Sequence, residues 1–162
     1  MEKYDLIVIG SGPAGQRAAI QAAKFGKHVA LVEKLEVVGG VAINTGTIPS
    51  KTIREAVLHL SGFYYQNIYG VNYRVKEQIT MADLSFRAQH VIKTEIDVIR
   101  AQLSRNGIEI FTGTASFLDP CHIRVVGSRN QSEYEAANTI IATGTKAATS
   151  ASSWRSNWSF RR

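Results

Sequence analysis

Gly10-Ser11-Gly12-Pro13-Ala14-Gly15 places three glycines where a backbone can fold around phosphate groups, and acidic Glu33 follows one structural unit later. Each position has a distinct job in such a site. Gly10 permits a tight turn, Gly12 offers no side chain to hold a pyrophosphate away from the backbone, and Gly15 lets a helix pack closely on a sheet. Pro13 suits the first turn of a helix, where its missing N–H would have had no partner. A helix starting there would aim free N–H groups and a positive dipole end at the phosphates. Glu33 has the right chemistry to accept a hydrogen bond from a ribose hydroxyl. The pattern points to an adenine dinucleotide without choosing between NAD and FAD.

These residues do chemistry only if the right elements hold them. Residues 4–9 (Tyr-Asp-Leu-Ile-Val-Ile) form a short apolar run that reads as a buried parallel strand. Residues 14–25 are alanine-rich and helical, and Gly26 is a natural stop. Residues 28–32 read as a second strand with Glu33 at its end, which completes one βαβ unit of the expected size. Residues 34–48 read as a glycine- and threonine-rich loop, followed by a helix starting near Pro49 and Ser50. Residues 62–79 carry no clear period. Asp83 is the expected cap of a long helix to about Arg105, with Leu84, Ala88, Val91, Ile92, Ile96, Ile99 and Leu103 as its apolar stripe. Strand-like runs follow at 108–112, 115–118, 122–126 and 134–142, separated by turn-rich stretches. The expected fold is α/β, a Rossmann-like doubly wound domain with a small β-meander.

A second segment narrows the chemistry. Gly39-Gly40-Val41-Ala42-Ile43-Asn44-Thr45-Gly46-Thr47-Ile48-Pro49-Ser50-Lys51 resembles the active-site stretch of the pyridine nucleotide-disulfide oxidoreductases, Gly-Gly-x-Cys-x-Asn-x-Gly-Cys-x-Pro-Ser-Lys. Both glycines, Asn44, Gly46 and Pro49-Ser50-Lys51 match. Gly113-Thr114-Ala115 resembles a family stretch that lies against the adenine, and Ala142-Thr143-Gly144 resembles the motif that ends this lobe. The resemblance covers nearly all of residues 4–145 and implies that the first βαβ unit binds FAD. The expected FAD contacts are Gly10 to Gly15, Glu33 with Lys34, the Gly39-Gly40-Val41 stretch, Lys51, Gly113, Ala115, Thr143 and Gly144.

The departures matter as much as the matches. Ala42 and Thr47 stand where the family has its two cysteines, and neither carries sulfur. A thiol relay needs two thiols that exchange beside the flavin, so the expectation is an enzyme without a redox-active disulfide. Gly46 to Arg54 is similar to the soluble transhydrogenase group of the family, which has threonine at the second position. That resemblance implies hydride exchange between NADPH and NAD through the flavin, with the protein supplying position and electrostatics. It also implies a catalytic role for Lys51, whose cation would stabilise negative charge on reduced flavin. The alternative for Lys51 is an ordinary exposed lysine in the first turn of a helix.

The remaining polar residues point to little else. His28, His59, His90 and His122 match no metal-ligand spacing, so no metal is expected. Cys121 is the one cysteine and reads as a small, partly buried side chain. No apolar run is long enough to cross a bilayer, no signal peptide is evident, and the expected location is the cytoplasm. The net charge of +6 is concentrated at the end, where Lys146, Arg155, Arg161 and Arg162 lie beyond the last acid. The remainder holds fifteen basic and thirteen acidic residues, so nucleic acid is not an expected partner.

Residues 1–145 are expected to be the N-terminal part of an FAD-binding domain. Composition changes abruptly afterwards, for residues 146–162 hold both tryptophans and five serines. That tail reads as disordered or as the product of a frameshift. The family's NAD(P) domain, its dimerisation domain and the segment completing its FAD domain have no counterpart in the 162 residues. Nicotinamide nucleotides and a homodimer are therefore expectations for a full-length form. Three readings stand open: an inactive piece of a transhydrogenase-type enzyme, a short protein that only binds FAD, and an interaction protein whose basic tail matters.

Overall fold

The computed structural model describes residues 1–73 and 75–145. The expected tail, residues 146–162, lies outside the described residues. Strand β1 (Glu2–Ile9) leads through the glycine turn into helix α1 (Pro13–Lys24) and strand β2 (Val29–Glu33). Helices α2 (Gly40–Asn44), α3 (Thr47–Leu60), α4 (Gln66–Tyr69) and α5 (Met81–Arg105) follow, with a 3-10 turn at Phe63–Tyr65. Strands β3 (Glu109–Thr112), β4 (Thr114–Phe117), β5 (His122–Val126) and β6 (Gln131–Ile141) complete the described chain.

The six strands form one sheet in the order β3-β2-β1-β6-β5-β4. β1 pairs in parallel with β2 (Leu6 opposite Val29) and with β6 (Leu6 opposite Asn138), and β2 pairs in parallel with β3. β4, β5 and the first half of β6 are antiparallel. Asp5 and Leu6 both donate their N–H to the His28 carbonyl, at 2.9 and 3.3 Å. This doubling has the character of a bulge and puts Tyr4 and Ile7 on one face and Leu6 and Val8 on the other.

Each face has its own core. On one, Leu6, Val8, Val29 and Leu31 pack against Ala19 of α1 and Ile99 and Leu103 of α5. On the other, Tyr4, Ile7, Ala30 and Val32 pack against Ile123 and Val125 of β5 and Ala136 of β6, so the meander folds back over the parallel strands. Phe111 and Tyr134 stack there with ring centroids 4.3 Å apart, and Tyr4 meets both edge-on. Burial first, then the charge of Glu109 beside its hydroxyl, pushes the Tyr4 phenol upward.

The Rossmann-like α/β class is as expected, and four local readings change. Residues 34–48 are not all loop, because Asn44 Nδ2 donates to the carbonyls of Val38 (3.1 Å) and Gly40 (3.0 Å) and closes α2. α3 starts at Thr47 because Pro49 falls in its first turn, where no N–H is required. Residues 62–79 contain α4, beside which Tyr65, Tyr69 and Tyr73 cluster with centroids 5.0–6.4 Å apart. The cap of α5 is Thr80, not Asp83. Thr80 Oγ1 accepts from the Asp83 N–H, while the Asp83 carboxylate accepts from the Thr80 N–H, a reciprocal capping box.

Candidate functional site

The carboxyl ends of β1, β2, β3 and β6 lie side by side, and the chain leaves β1 there through the glycine turn. A crevice at this end, where the strand order turns back on itself, is the usual nucleotide position in an open α/β sheet. Gly10 donates to the Val32 carbonyl at 2.7 Å, and Ala142 donates to the Ile9 carbonyl at 2.8 Å. Gly10 has φ +108°, and a Cβ built there would come within 2.3 Å of the Ala142 carbonyl oxygen. The Ala142-Thr143-Gly144 stretch is thereby set against the turn.

Gly12 differs from its neighbours. It adopts φ −65° and ψ 176°, an extended conformation open to any residue, and an added Cβ would meet nothing within 4 Å. The space above it is therefore open. Gly12 is also the N-cap of α1 and supplies no side-chain cap, so the first N–H groups of the helix face that space. Gly40 forms the opposite wall, since a Cβ on it would lie 2.9 Å from the Gly12 Cα. An anionic pyrophosphate fits this arrangement of bare backbone and helix N-terminus.

Glu33 ends β2 and is 9% exposed. Its Oε2 accepts from the Ser11 N–H at 2.9 Å and from the Ser11 hydroxyl, and its Oε1 accepts from the Leu35 N–H at 3.0 Å. Buried carboxylates need such donors, and hydrogen bonds to a charged acceptor are stronger than neutral ones. Ser11, wholly buried, accepts at Oγ from the Gly39 N–H at 3.1 Å. Gln16 Nε2 donates to the Ser11 carbonyl at 2.6 Å. From α5, Arg100 donates to the Glu36 carbonyl at 2.9 Å and ties down the loop after Glu33.

The structure thus brings together Gly10 to Gly15, Glu33, Gly39, Gly40, Ala142 and Thr143, with Gly144 exposed just beyond them. Gly113 joins them through its N–H, 2.8 Å from the Glu33 carbonyl. Ala115 is half-buried and packs on the meander core. Pro13, Ala14, Lys34 and Val41 are exposed. Lys51 is exposed on α3 and lines a cleft of about 940 Å³ with Thr52, Glu55, Asp83, Phe86 and Arg87. Ala42 sits in α2 and Thr47 opens α3. Cys121 is exposed rather than partly buried, at the turn before β5. The bonding of Gln16 and Arg100 escaped the sequence reading. Gln16 sits one turn into α1 and could have been suspected, whereas Arg100 lies 64 residues from its partner with no local signal.

No cluster of three or more metal-binding side chains occurs among the described residues. No helix among them is long and apolar enough to cross a membrane.

The open glycine turn at the carboxyl edge of a parallel sheet, with an acid at the end of the second strand, defines a Rossmann-like nucleotide-binding lobe. Residues 4–153 match the pyridine nucleotide-disulphide oxidoreductase family, and the chain belongs to it. Members of this family are flavoproteins that bind FAD and act on NAD(P). The chain is 53% identical over 150 residues to the soluble pyridine nucleotide transhydrogenases of Mycobacterium bovis and Mycobacterium tuberculosis, covering 91% of this chain and 32% of theirs. It is 38% identical to the enzyme of that name from Photorhabdus laumondii, covering 88% of this chain and 31% of the relative. Among solved structures it is similar to the Cu(II) complex of the HOCl-induced flavoprotein disulfide reductase RclA from Escherichia coli. That similarity has a TM-score of 0.76 and 26% identity, covering 93% of this chain and 31% of that one. The chain spans about a third of the length of the curated relatives it matches.

Proposed function

We propose that these residues form the adenosine- and pyrophosphate-holding part of an FAD-dependent oxidoreductase of the soluble transhydrogenase type, whose whole protein exchanges hydride between NADPH and NAD. The observation that carries the reading is the open space over Gly12, walled by Gly40 and faced by the N-terminus of α1. Nothing in the folding of the turn requires a glycine at that position, so the missing side chain serves what lies outside it.

The residues divide the work. Gly12 and the first N–H groups of α1 hold the pyrophosphate. Glu33 accepts from the ribose, and Gly113 with Ala142 to Gly144 brings backbone to the same crevice. Gly39 and Gly40 close the phosphate side. Lys51 provides a positive charge on α3, where it would favour negative charge on a reduced cofactor. When bound, the flavin supplies the hydride-accepting and hydride-donating chemistry. With Ala42 and Thr47 at the family's cysteine positions, no thiol relay operates at this site. The described residues hold one glycine-rich βαβ unit, and the hydride exchange proposed here belongs to the whole protein.

The test is binding of FAD to the purified chain, followed by quenching of flavin fluorescence and by a structured flavin absorption band. Saturable binding with one flavin per chain is expected. A folded chain that leaves FAD fluorescence unaltered at millimolar concentration of either component would refute the reading.

A further inference from the structure

The hydrogen bonds of Ser11 carry an inference that rests on the nucleotide reading and deepens it. We propose that Ser11 is a positioning residue that ties Glu33 to the Gly39-Gly40 segment and leaves this carboxylate a single acceptor site for the ribose.

An ionised carboxylate has two oxygens and about four lone-pair directions. Oε2 of Glu33 takes both the N–H and the hydroxyl of Ser11, and Oε1 takes the N–H of Leu35. One direction, on Oε1, is left. A ribose presents two neighbouring hydroxyls, so Glu33 reads one of them directly and the other must bond elsewhere.

Ser11 reaches beyond Glu33 with its remaining groups. Its hydroxyl donates to Glu33 and so can turn its lone pair to the Gly39 N–H, 3.1 Å away. The same N–H is shared with the Ser11 carbonyl at 3.2 Å. Gln16 holds that carbonyl from the helix side. Gly40, the next residue, is the wall facing Gly12. The chain of contacts runs from the ribose acid through a buried hydroxyl to the wall of the phosphate cradle. An alanine at position 11 would keep the backbone bonds to Glu33 and to Gly39 but remove the hydroxyl that joins the carboxylate to the Gly39 N–H.

Amide hydrogen exchange of the ligand-free 162-residue chain tests the link without any cofactor. Exchange at Gly39 is measured in the unsubstituted chain, in Ser11→Ala and in Glu33→Met, which keeps the side-chain length but accepts no strong hydrogen bond. Amides of β1 and β6 report that each variant is folded. About tenfold faster exchange at Gly39 is expected in both variants, with the double variant no faster than Ser11→Ala. Unchanged Gly39 exchange in Glu33→Met would overturn the link, leaving Ser11 as local structure only. Should Glu33→Met fail to fold, Ser11→Ala and Ser11→Gly decide the matter, and unchanged Gly39 exchange in both overturns it.

The acceptor count is tested by binding ADP, 2′-deoxy-ADP and 3′-deoxy-ADP to the unsubstituted chain. One deoxy analogue is expected to bind about tenfold more weakly than ADP, and the other within twofold of it. Equal losses for both analogues overturn the single-site count. Failure of ADP itself to bind overturns the nucleotide reading and the count with it, while the Gly39 exchange result still decides the link.

Discussion

Gly15 lies directly under Gly10, so closely that a Cβ on Gly15 would stand 1.9 Å from the Gly10 carbonyl oxygen. The obstruction is backbone, and the same Cβ would also press on the Val8 side chain at 3.3 Å. The Gly10 carbonyl cannot move without shifting the turn that leaves β1. Gly15→Ala is therefore expected to destabilise the chain by at least about 3 kcal/mol, the upper range for forcing atoms into a packed core. A urea unfolding curve checks this, and a midpoint within error of the unsubstituted chain would contradict the geometry.

Gly12 predicts the opposite pairing of effects. Its extended backbone and open surroundings accept a side chain, and an aspartate there would cap α1. Gly12→Asp is expected to leave stability unchanged or raise it by a few tenths of a kcal/mol. Its carboxylate would sit where the pyrophosphate belongs, so FAD affinity should fall at least about a hundredfold through lost space and like-charge repulsion. Thermal unfolding and fluorescence titration on the same sample separate the two effects.

Asp83 makes stability depend on acid. Hydrogen bonds from Lys76 Nζ, at 2.6 and 2.7 Å, and then from the Thr80 N–H lower its carboxyl from the ordinary 3.8 to about 2. A group with a depressed folded pKa stabilises fully above its unfolded value and loses that contribution as pH falls through the folded one. The start of α5 should accordingly loosen between about pH 4 and pH 2. Amide exchange at Met81 to Leu84 should quicken across that window. Asp83→Asn should show faster exchange at neutral pH and little change on acidification. An identical acid profile for the two proteins would exclude this role.

Lys51 on α3 gives an electrochemical expectation. A cation favours the reduced, negatively charged flavin, so its removal should make the cofactor harder to reduce. Lys51→Met is expected to bind FAD within twofold of the unsubstituted chain while shifting the midpoint potential of the bound flavin negative by roughly 30 mV, a tenfold change in a two-electron equilibrium. Dye-coupled reduction measures it. An unmoved potential would assign Lys51 to solvent.

The sequence was most legible where the signal is local. Gly10 to Gly15 followed by an alanine-rich stretch and a short apolar strand carries the βαβ unit in about thirty residues, and the structure reproduces it. The class of the fold followed from there. Contacts that depend on distant partners were not legible. Ile7 opposite Thr139 pairs residues at opposite ends of the described chain, and no periodicity announces it. α2 is hidden because it is only five residues long and bounded by Gly40 and Asn44, and a tertiary detail, the Asn44 amide on the Val38 carbonyl, is what holds it. The position of Glu33 at the end of the second strand is legible in the sequence. That most of its acceptor capacity is spent on Ser11 and Leu35 depends on side-chain directions that a string of letters does not record.

The insertion of β6 between β1 and β5 has a consequence on the ribosome. β1 leaves the exit tunnel first, yet its neighbour on one side, β6, is made more than a hundred residues later. At roughly 5–20 residues per second, the nascent chain waits on the order of ten seconds with one edge of β1 bare. During that interval Ile7 and Val8, wholly buried in the finished protein, lie along an open strand available to any other extended chain. Synthesis speed and chaperone supply, as much as the final packing, should therefore set how much of this polypeptide reaches its native form.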